Sequence, residues 1–145
     1  MSEVDALQQT LAAEHAAVYV FGVLGGRAAH LPAPVLRAAI STAYDVHVGR
    51  RDALVARVTA TGADPVPAAP AYSVTRDLGS PARVASEALR VERACLTSYG
   101  VLVAASTGAD RAWAVTALVE TAASELGFGG SPDPLPGMDT EFPGS

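Results

Sequence analysis

Two ionisable residues, Glu14 and His15, stand in the middle of the apolar stretch LAAEHAAVYVFG at residues 11–22. Burying an unpaired carboxylate costs several kcal/mol. Glu14 must therefore face water, hold an opposite charge, or hold a metal ion. Three further residues of the same two chemical types are candidates to share a site with it: His47, Glu92 and Glu120. Carboxylate and imidazole groups bind divalent metal ions and also pair with buried cations, so both kinds of site are open.

Four segments with helical periodicity are expected to position these residues. The segments run from about Glu3 to Gly26, from Pro32 and Pro34 to Thr61, from Ser80-Pro81 onward, and from Gly108 to Leu126. Each segment places one candidate, Glu14, His47, Glu92 or Glu120, on its inward apolar stripe near mid-length. No strand-like alternation of useful length occurs. The sequence therefore predicts an all-α fold.

The connections between these segments indicate the topology. The first two segments are separated by a short link, as are the last two, so each pair is predicted to form an antiparallel hairpin. Residues 63–79, ADPVPAAPAYSVTRDLG, are proline-rich and can extend to roughly 55 Å, whereas a 25-residue helix is about 38 Å long. Two hairpins joined by one long crossover form the ferritin-like arrangement. We therefore predict a four-helix bundle at residues 1–128 and a Pro/Gly-rich tail at residues 129–145.

Four stretches carry a resemblance to a known family: LAAEHAAVYVFGVLGGR, HVGRRDAL, PVPAAPAY and RVERACLTSYGVLVAA. Together they resemble the ferritin-like domain family of unknown function that is common in high-GC bacteria, over roughly residues 5–128. The resemblance implies a four-helix ferritin-like bundle, often dimeric, with no assigned reaction.

The candidates match a di-iron carboxylate site only in part. The full pattern needs one Glu from each of two helices and a Glu-x-x-His motif from each of the other two. Glu14 and Glu92 match the two single Glu ligands of this pattern. The second helix has Tyr44 where the motif before His47 needs Glu, and the fourth has Ala123 where the motif after Glu120 needs His. Two of the six ligands are therefore absent.

Arg51 offers a different partner for the buried carboxylates. It lies one turn beyond His47, so its guanidinium is predicted to reach the bundle centre and pair with Glu14 or Glu92. Three alternatives stay open: an ion-pair network, a one-metal site with the reduced ligand set, and an outward-facing Glu14. They correspond to two functions, a non-catalytic binding or structural bundle without a cofactor, and an iron-binding oxidoreductase or iron handler.

Composition limits the partners. A net charge of −5 argues against nucleic acid or an anionic membrane as a partner. The single cysteine, Cys95, excludes an internal disulfide framework and is typical of a reducing, cytoplasmic location. Only 17% of residues are charged. Small residues on the helix faces, Ala12, Ala16, Ala38 and Ala39, favour a homodimer. We interpret His15 as a flank or interface residue, His30 as an exposed loop residue and Cys95 as core packing.

Overall fold

Four α-helices begin and end close to the capping residues and prolines of the sequence. A computed structural model describes residues 1–131 of the 145-residue chain. The helices are α1 (Glu3–Ala28), α2 (Pro34–Ala60), α3 (Pro81–Ala105) and α4 (Gly108–Leu126). Ser2 caps α1 in a capping box with Asp5, and Ser80 caps α3 ahead of its first-turn proline. Gly62, with a φ of 86°, follows the end of α2 in the left-handed conformation that glycine tolerates best.

The helices form two hairpins joined by a long crossover. α1 and α2 are linked by residues 29–33, and α3 and α4 by residues 106–107. The segment between α2 and α3 contains no helix or strand and spans residues 61–80. The four helices make an all-α bundle, and the predicted fold class and connectivity are confirmed.

The packing of the bundle is uneven around its circumference. α1 packs closely against both α2 and α3, and α3 packs closely against α4. The backbones of α2 and α4 stay further apart, and arginine side chains of α2 bridge the gap between them. The core between the helices is built from large apolar side chains, among them Leu7, Leu11, Phe21, Leu24, Ile40, Leu54 and Leu102. The open seam between α2 and α4 is where the interior of the bundle approaches the surface.

The crossover lies along α1 and ends at α3. Gln8 holds its first part through two hydrogen bonds, donating from Nε2 to the carbonyl of Asp64 and accepting at Oε1 from the amide of Val66. The ring of His15 meets the same segment, with Nε2 3.0 Å from the carbonyl oxygen of Val66. At its far end, Thr75 donates to the buried carboxylate of Glu87 on α3. These contacts hold the crossover along the length of the bundle.

Replacing Gln8 by alanine is expected to destabilise the protein by about 1–2 kcal/mol, because both backbone groups of the crossover lose their partner together. The measurement is urea unfolding followed by circular dichroism. Gln9→Ala on the neighbouring position of α1, which makes no side-chain bond of this kind, is the matched control. Equal losses in the two variants would contradict the anchoring role of Gln8.

Two further points concern membrane-spanning helices and the predicted C-terminal tail. None of the four described helices combines the length and hydropathy that a bilayer span requires. The predicted tail at 129–145 falls largely on residues 132–145, which lie outside the described part of the chain. Phe128, just after α4, is buried and packs against Phe21 with ring centroids 5.9 Å apart.

Candidate functional site

Glu14 lies at the centre of the bundle with none of its surface exposed. It follows Leu7 and Leu11 on the buried stripe of α1, which continues through Ala17 and Phe21. Because helical residues three or four positions apart share a face, this spacing turns the carboxylate inward. The structure thereby excludes the outward-facing alternative for Glu14.

His47 of α2 lies between two carboxylates from different helices. Its Nδ1 is 2.6 Å from Oε2 of Glu14, and its Nε2 is 3.4 Å from Oε2 of Glu92. The first contact is a short hydrogen bond; the second has ion-pair distance without forming an aligned hydrogen bond. Tyr99 donates to Oε1 of Glu14 at 2.7 Å, and Ser124 donates to Oε1 of Glu92 at 2.7 Å. The five residues form what we call the central cluster.

The central cluster holds His47 in its charged form. Burial alone would lower the pKa of His47, but the adjacent carboxylates of Glu14 and Glu92 outweigh that effect and raise its pKa to about 9. Both ring nitrogens then carry protons, so Nδ1 donates to Glu14 and Nε2 faces Glu92. At neutral pH the centre of the bundle therefore contains an imidazolium cation between two carboxylates.

Cys95, which lies beside the central cluster, and Tyr99, which belongs to it, are held in their neutral forms. Burial raises the pKa of the Cys95 thiol well above its usual value, and the negative charges of Glu14 and Glu92 raise it further. Burial and the neighbouring Glu14 also raise the pKa of the Tyr99 hydroxyl. A protonated thiol is a weak nucleophile. Cys95 is therefore a packing residue in this state, in line with its interpretation from the sequence.

The arginine that enters the bundle is Arg50, and the prediction that Arg51 reaches Glu14 is wrong. Arg51 donates to the neighbouring Asp52 at the surface. Arg50 is 7% exposed, donates to the hydroxyl of Thr121 at 2.8 Å, and lies 5.5 Å from the centroid of the Tyr99 ring. Positions 50 and 51 differ by about 100° around the helix, so one turns toward α4 and the other away from it.

Arg50→Met is expected to destabilise the protein by about 2 kcal/mol, because α4 loses the hydrogen bonds that Arg50 donates to it. Arg51→Met is the matched control, with the same change one residue away, and is expected to cost less than about 0.5 kcal/mol. Thermal melts of the two variants at low salt measure the difference. A larger loss for Arg51 would contradict the assignment.

Glu120 lies at the surface, contrary to its predicted inward position. Its side chain is 62% exposed and pairs with Arg50 at 3.1 Å. The inward positions of α4 are Ala114, Ala117, Thr121 and Glu125. Glu120 therefore sits one step outside the central cluster, on the side of α4 that faces α2.

The residues present do not fit a di-iron centre. Tyr44, in the place of a carboxylate, is 38% exposed, and Ala123 has no ligand atom. Glu120 is separated from the central cluster by its pairing with Arg50. A smaller donor set does come together, since ligand atoms of Glu14, His47 and Cys95 all lie within 4.8 Å of one another. Any metal bound there would have to displace the proton shared by Glu14 and His47.

A cleft of about 480 Å³ opens between α2 and α4 and reaches the edge of the central cluster. Six of its eleven lining residues are small or apolar, and five are polar or charged. The cleft is lined by Ala39, Thr42, Ala43, Val46, Arg50, Glu92, Glu120, Ala123, Ser124, Gly127 and Phe128. Glu92 is a member of the central cluster that also lines the cleft, although it is only 1% exposed. Clefts of this size and composition are typical small-molecule sites.

Some members of the site escaped sequence analysis for an identifiable reason. Tyr99 and Ser124 are not among the site residues predicted from the sequence. Both hydroxyls donate to carboxylates of other helices, and such partners become visible only when the helices are packed. His30 is exposed, as expected from its loop position.

These features define an all-α four-helix bundle with a buried carboxylate–imidazolium cluster and a cleft along one seam. The chain belongs to the family described as a domain of unknown function, DUF4439, which it matches over residues 6–140. It is similar in structure to a conserved hypothetical protein, rv2844, from Mycobacterium tuberculosis. That crystal structure has 30% sequence identity and a TM-score of 0.78, with 88% of this chain and 87% of the other covered. No curated protein matches the chain significantly.

Proposed function

We propose that this protein is a non-catalytic bundle that acts by binding, and that an ion-pair network fills its degenerate metal site. One observation carries the proposal: the ring of His47 lies between Glu14 and Glu92, at 2.6 and 3.4 Å. The imidazolium supplies one positive charge between two buried carboxylates. Breaking such a buried pair is costly, so the network holds α1, α2 and α3 in one arrangement.

The chemistry of the cluster supports a role without catalysis. A general base or nucleophile needs a free lone pair near a substrate. Here both nitrogens of His47 carry protons, and the Cys95 thiol is kept neutral. Each carboxylate oxygen of Glu14 accepts one hydrogen bond, from His47 or Tyr99, and the residue has no exposed surface. The groups that reach the cleft, chiefly Glu92, Glu120 and Arg50, are suited to recognition.

The test is metal content and metal-dependent stability. Purified protein is loaded with ferrous iron under reducing, anaerobic conditions and separately with zinc, then desalted, and bound metal is counted per chain. We expect far less than one ion per chain and no shift in melting temperature. Stoichiometric metal together with a large rise in melting temperature would overturn the proposal.

A second candidate, an iron-binding oxidoreductase or iron handler, is favoured by the proximity of Glu14, His47 and Cys95. Binding would release protons, since His47 and Cys95 must both lose one to become ligands. Glu14→Gln distinguishes this candidate, because it removes one ligand while keeping the side-chain volume. Metal-dependent stabilisation that disappears in Glu14→Gln but persists in the exposed control Glu3→Gln would establish it.

We further propose that the protein forms a two-fold dimer through the exposed face of α4. This face repeats in steps of three and four residues, the spacing of a helix–helix seam. Its members are Ala109, Ala112, Thr116, Val119, Ala123 and Leu126, with Val115 alongside. Val119 and Leu126 are 59% and 50% exposed. Such exposed apolar surface is typical of an interface.

Light scattering at tens of micromolar protein is expected to give twice the chain mass. Val119→Glu should shift the protein to monomer, because it buries a charge in the seam of both copies. Thr97→Glu on the exposed side of α3 is the control and should leave the dimer intact. A monomeric wild-type protein would remove this proposal. Cytoplasmic location and the lack of a nucleic-acid partner stay predictions from composition.

A further inference from the structure

The cleft between α2 and α4 is lined at its floor by a carboxylate whose bonding is incomplete. Ser124 donates to Oε1 of Glu92, but Oε2 is buried and has no hydrogen-bond donor within residues 1–131. His47 approaches it only at ion-pair distance. Buried polar atoms in proteins are nearly always hydrogen-bonded, so Oε2 has the capacity to accept a hydrogen bond from a ligand.

We propose that the cleft is a binding site for a primary amine on a short alkyl chain, with its ammonium group held by Glu92 and Glu120. The inference rests on the proposed binding function and deepens it by naming the class of ligand. Glu92 lies at the floor of the cleft and Glu120 at its rim.

The charges around the cleft call for a monovalent cation. Glu14 and Glu92 carry two negative charges, and His47 returns one positive charge. Arg50 does not supply a second positive charge to the cluster, since it is engaged by Glu120, Thr121 and the carbonyl of Ala117. One negative charge at the edge of the cluster is thus unbalanced. An ammonium group balances it and offers three donors, whereas an alcohol offers a donor without charge.

The walls of the cleft fit the alkyl part of such a ligand. Ala39, Ala43, Val46 and Phe128 supply apolar surface to the cleft. The eleven-residue distance from Ala39 to Arg50 along α2 corresponds to roughly 16 Å. An extended six-carbon chain is shorter than this and can lie along the apolar walls with its head at Glu92. The site therefore separates a charged end from an apolar end, as an amphipathic amine does.

The experiment is isothermal titration calorimetry of the full chain with n-hexylammonium. 1-Hexanol and hexanoate, which have the same chain length, are titrated for comparison. We expect one hexylammonium per chain, and binding of the other two probes weaker by about tenfold or more. Thr42→Phe fills the cleft and should abolish binding. Thr97→Phe, the same change at an exposed site on α3, should leave it unchanged.

Glu92→Gln tests the head-group contact and should weaken hexylammonium binding by about tenfold or more, with little effect on hexanol. If that variant does not fold, Glu120→Gln at the exposed rim replaces it, and a smaller but measurable loss is expected. Equal affinity for hexanol, preference for hexanoate, or binding insensitive to Thr42→Phe would overturn the inference. Absence of amine binding in a metal-free protein overturns the inference alone. Stoichiometric iron overturns the proposed function itself.

Discussion

His47→Leu is expected to destabilise the protein by roughly 3–5 kcal/mol, because it leaves Glu14 and Glu92 buried without a cation. Glu14→Leu should cost a similar amount, since His47 then loses its closest acceptor and Tyr99 loses the carboxylate oxygen to which it donates. The double variant should cost clearly less than the sum of the two single changes, because neither partner is then stranded. Urea unfolding of the three variants measures these differences.

Tyr99→Phe is the graded control for this cycle. It removes one hydroxyl from Glu14 and keeps the ring against Trp113, 5.8 Å between centroids. Its expected cost is about 1 kcal/mol. Strictly additive losses for Glu14→Leu and His47→Leu would show that the two residues contribute independently, and the ion-pair network would then have to be abandoned.

Stability is expected to fall by about 3 kcal/mol as the pH rises from 6.5 to beyond 9, because folded His47 must then lose its proton. The pKa of His47 is raised from 6.5 in the unfolded chain to about 9 in the fold. A raised pKa means that the folded state binds the proton more tightly. The stabilisation is therefore complete below pH 6.5 and is lost as the pH passes through about 9.

His47→Gln provides the baseline for this measurement. Glu14, Glu92 and Cys95 lie close to His47, and Tyr99 contacts Glu14. The pKa values of Cys95 and Tyr99 are raised, so these two groups titrate above their usual ranges. Subtracting the pH profile of the variant removes the contributions that the exposed tyrosines and the amino terminus make to the pH dependence of stability. Imidazole resonances of His47 followed by NMR give the same pKa directly. A midpoint near 6.5 would contradict the charged cluster.

Most of the fold follows from local signals in the chain. Ser2, Ser80 and the prolines at positions 34 and 81 mark helix starts because each satisfies or removes backbone donors of the first turn. The lengths of the three connections then restrict the four helices to a few possible topologies. Residues 61–80 are long enough to return along the bundle, whereas residues 29–33 and 106–107 are not. These features need no knowledge of long-range contacts.

The site was less predictable because it depends on differences of one residue. Glu14, His47 and Glu92 were assigned to the centre correctly, since each lies in the middle of an apolar stripe. Arg50 and Arg51 flank that stripe on opposite sides, and the helical pattern alone does not say which side faces α4. The same ambiguity explains why Glu120, which was predicted to point inward, lies at the rim of the cleft. Such choices are decided by the position of the neighbouring helix.

The uneven packing of α4 gives the molecule a preferred place to open. Its backbone packs closely against α3 alone among the described helices, while α1 is held by two neighbours. Amide hydrogens of α4 are therefore expected to exchange with solvent through a local opening of lower free energy than global unfolding, and those of α1 only through the latter. Arg50 and Arg57, which reach across to Thr121 and Asp110, set the free energy of that opening. Any molecule that bridges α2 and α4 would slow the exchange of α4 selectively, so native-state exchange rates become a reporter of occupancy that needs no assay of activity.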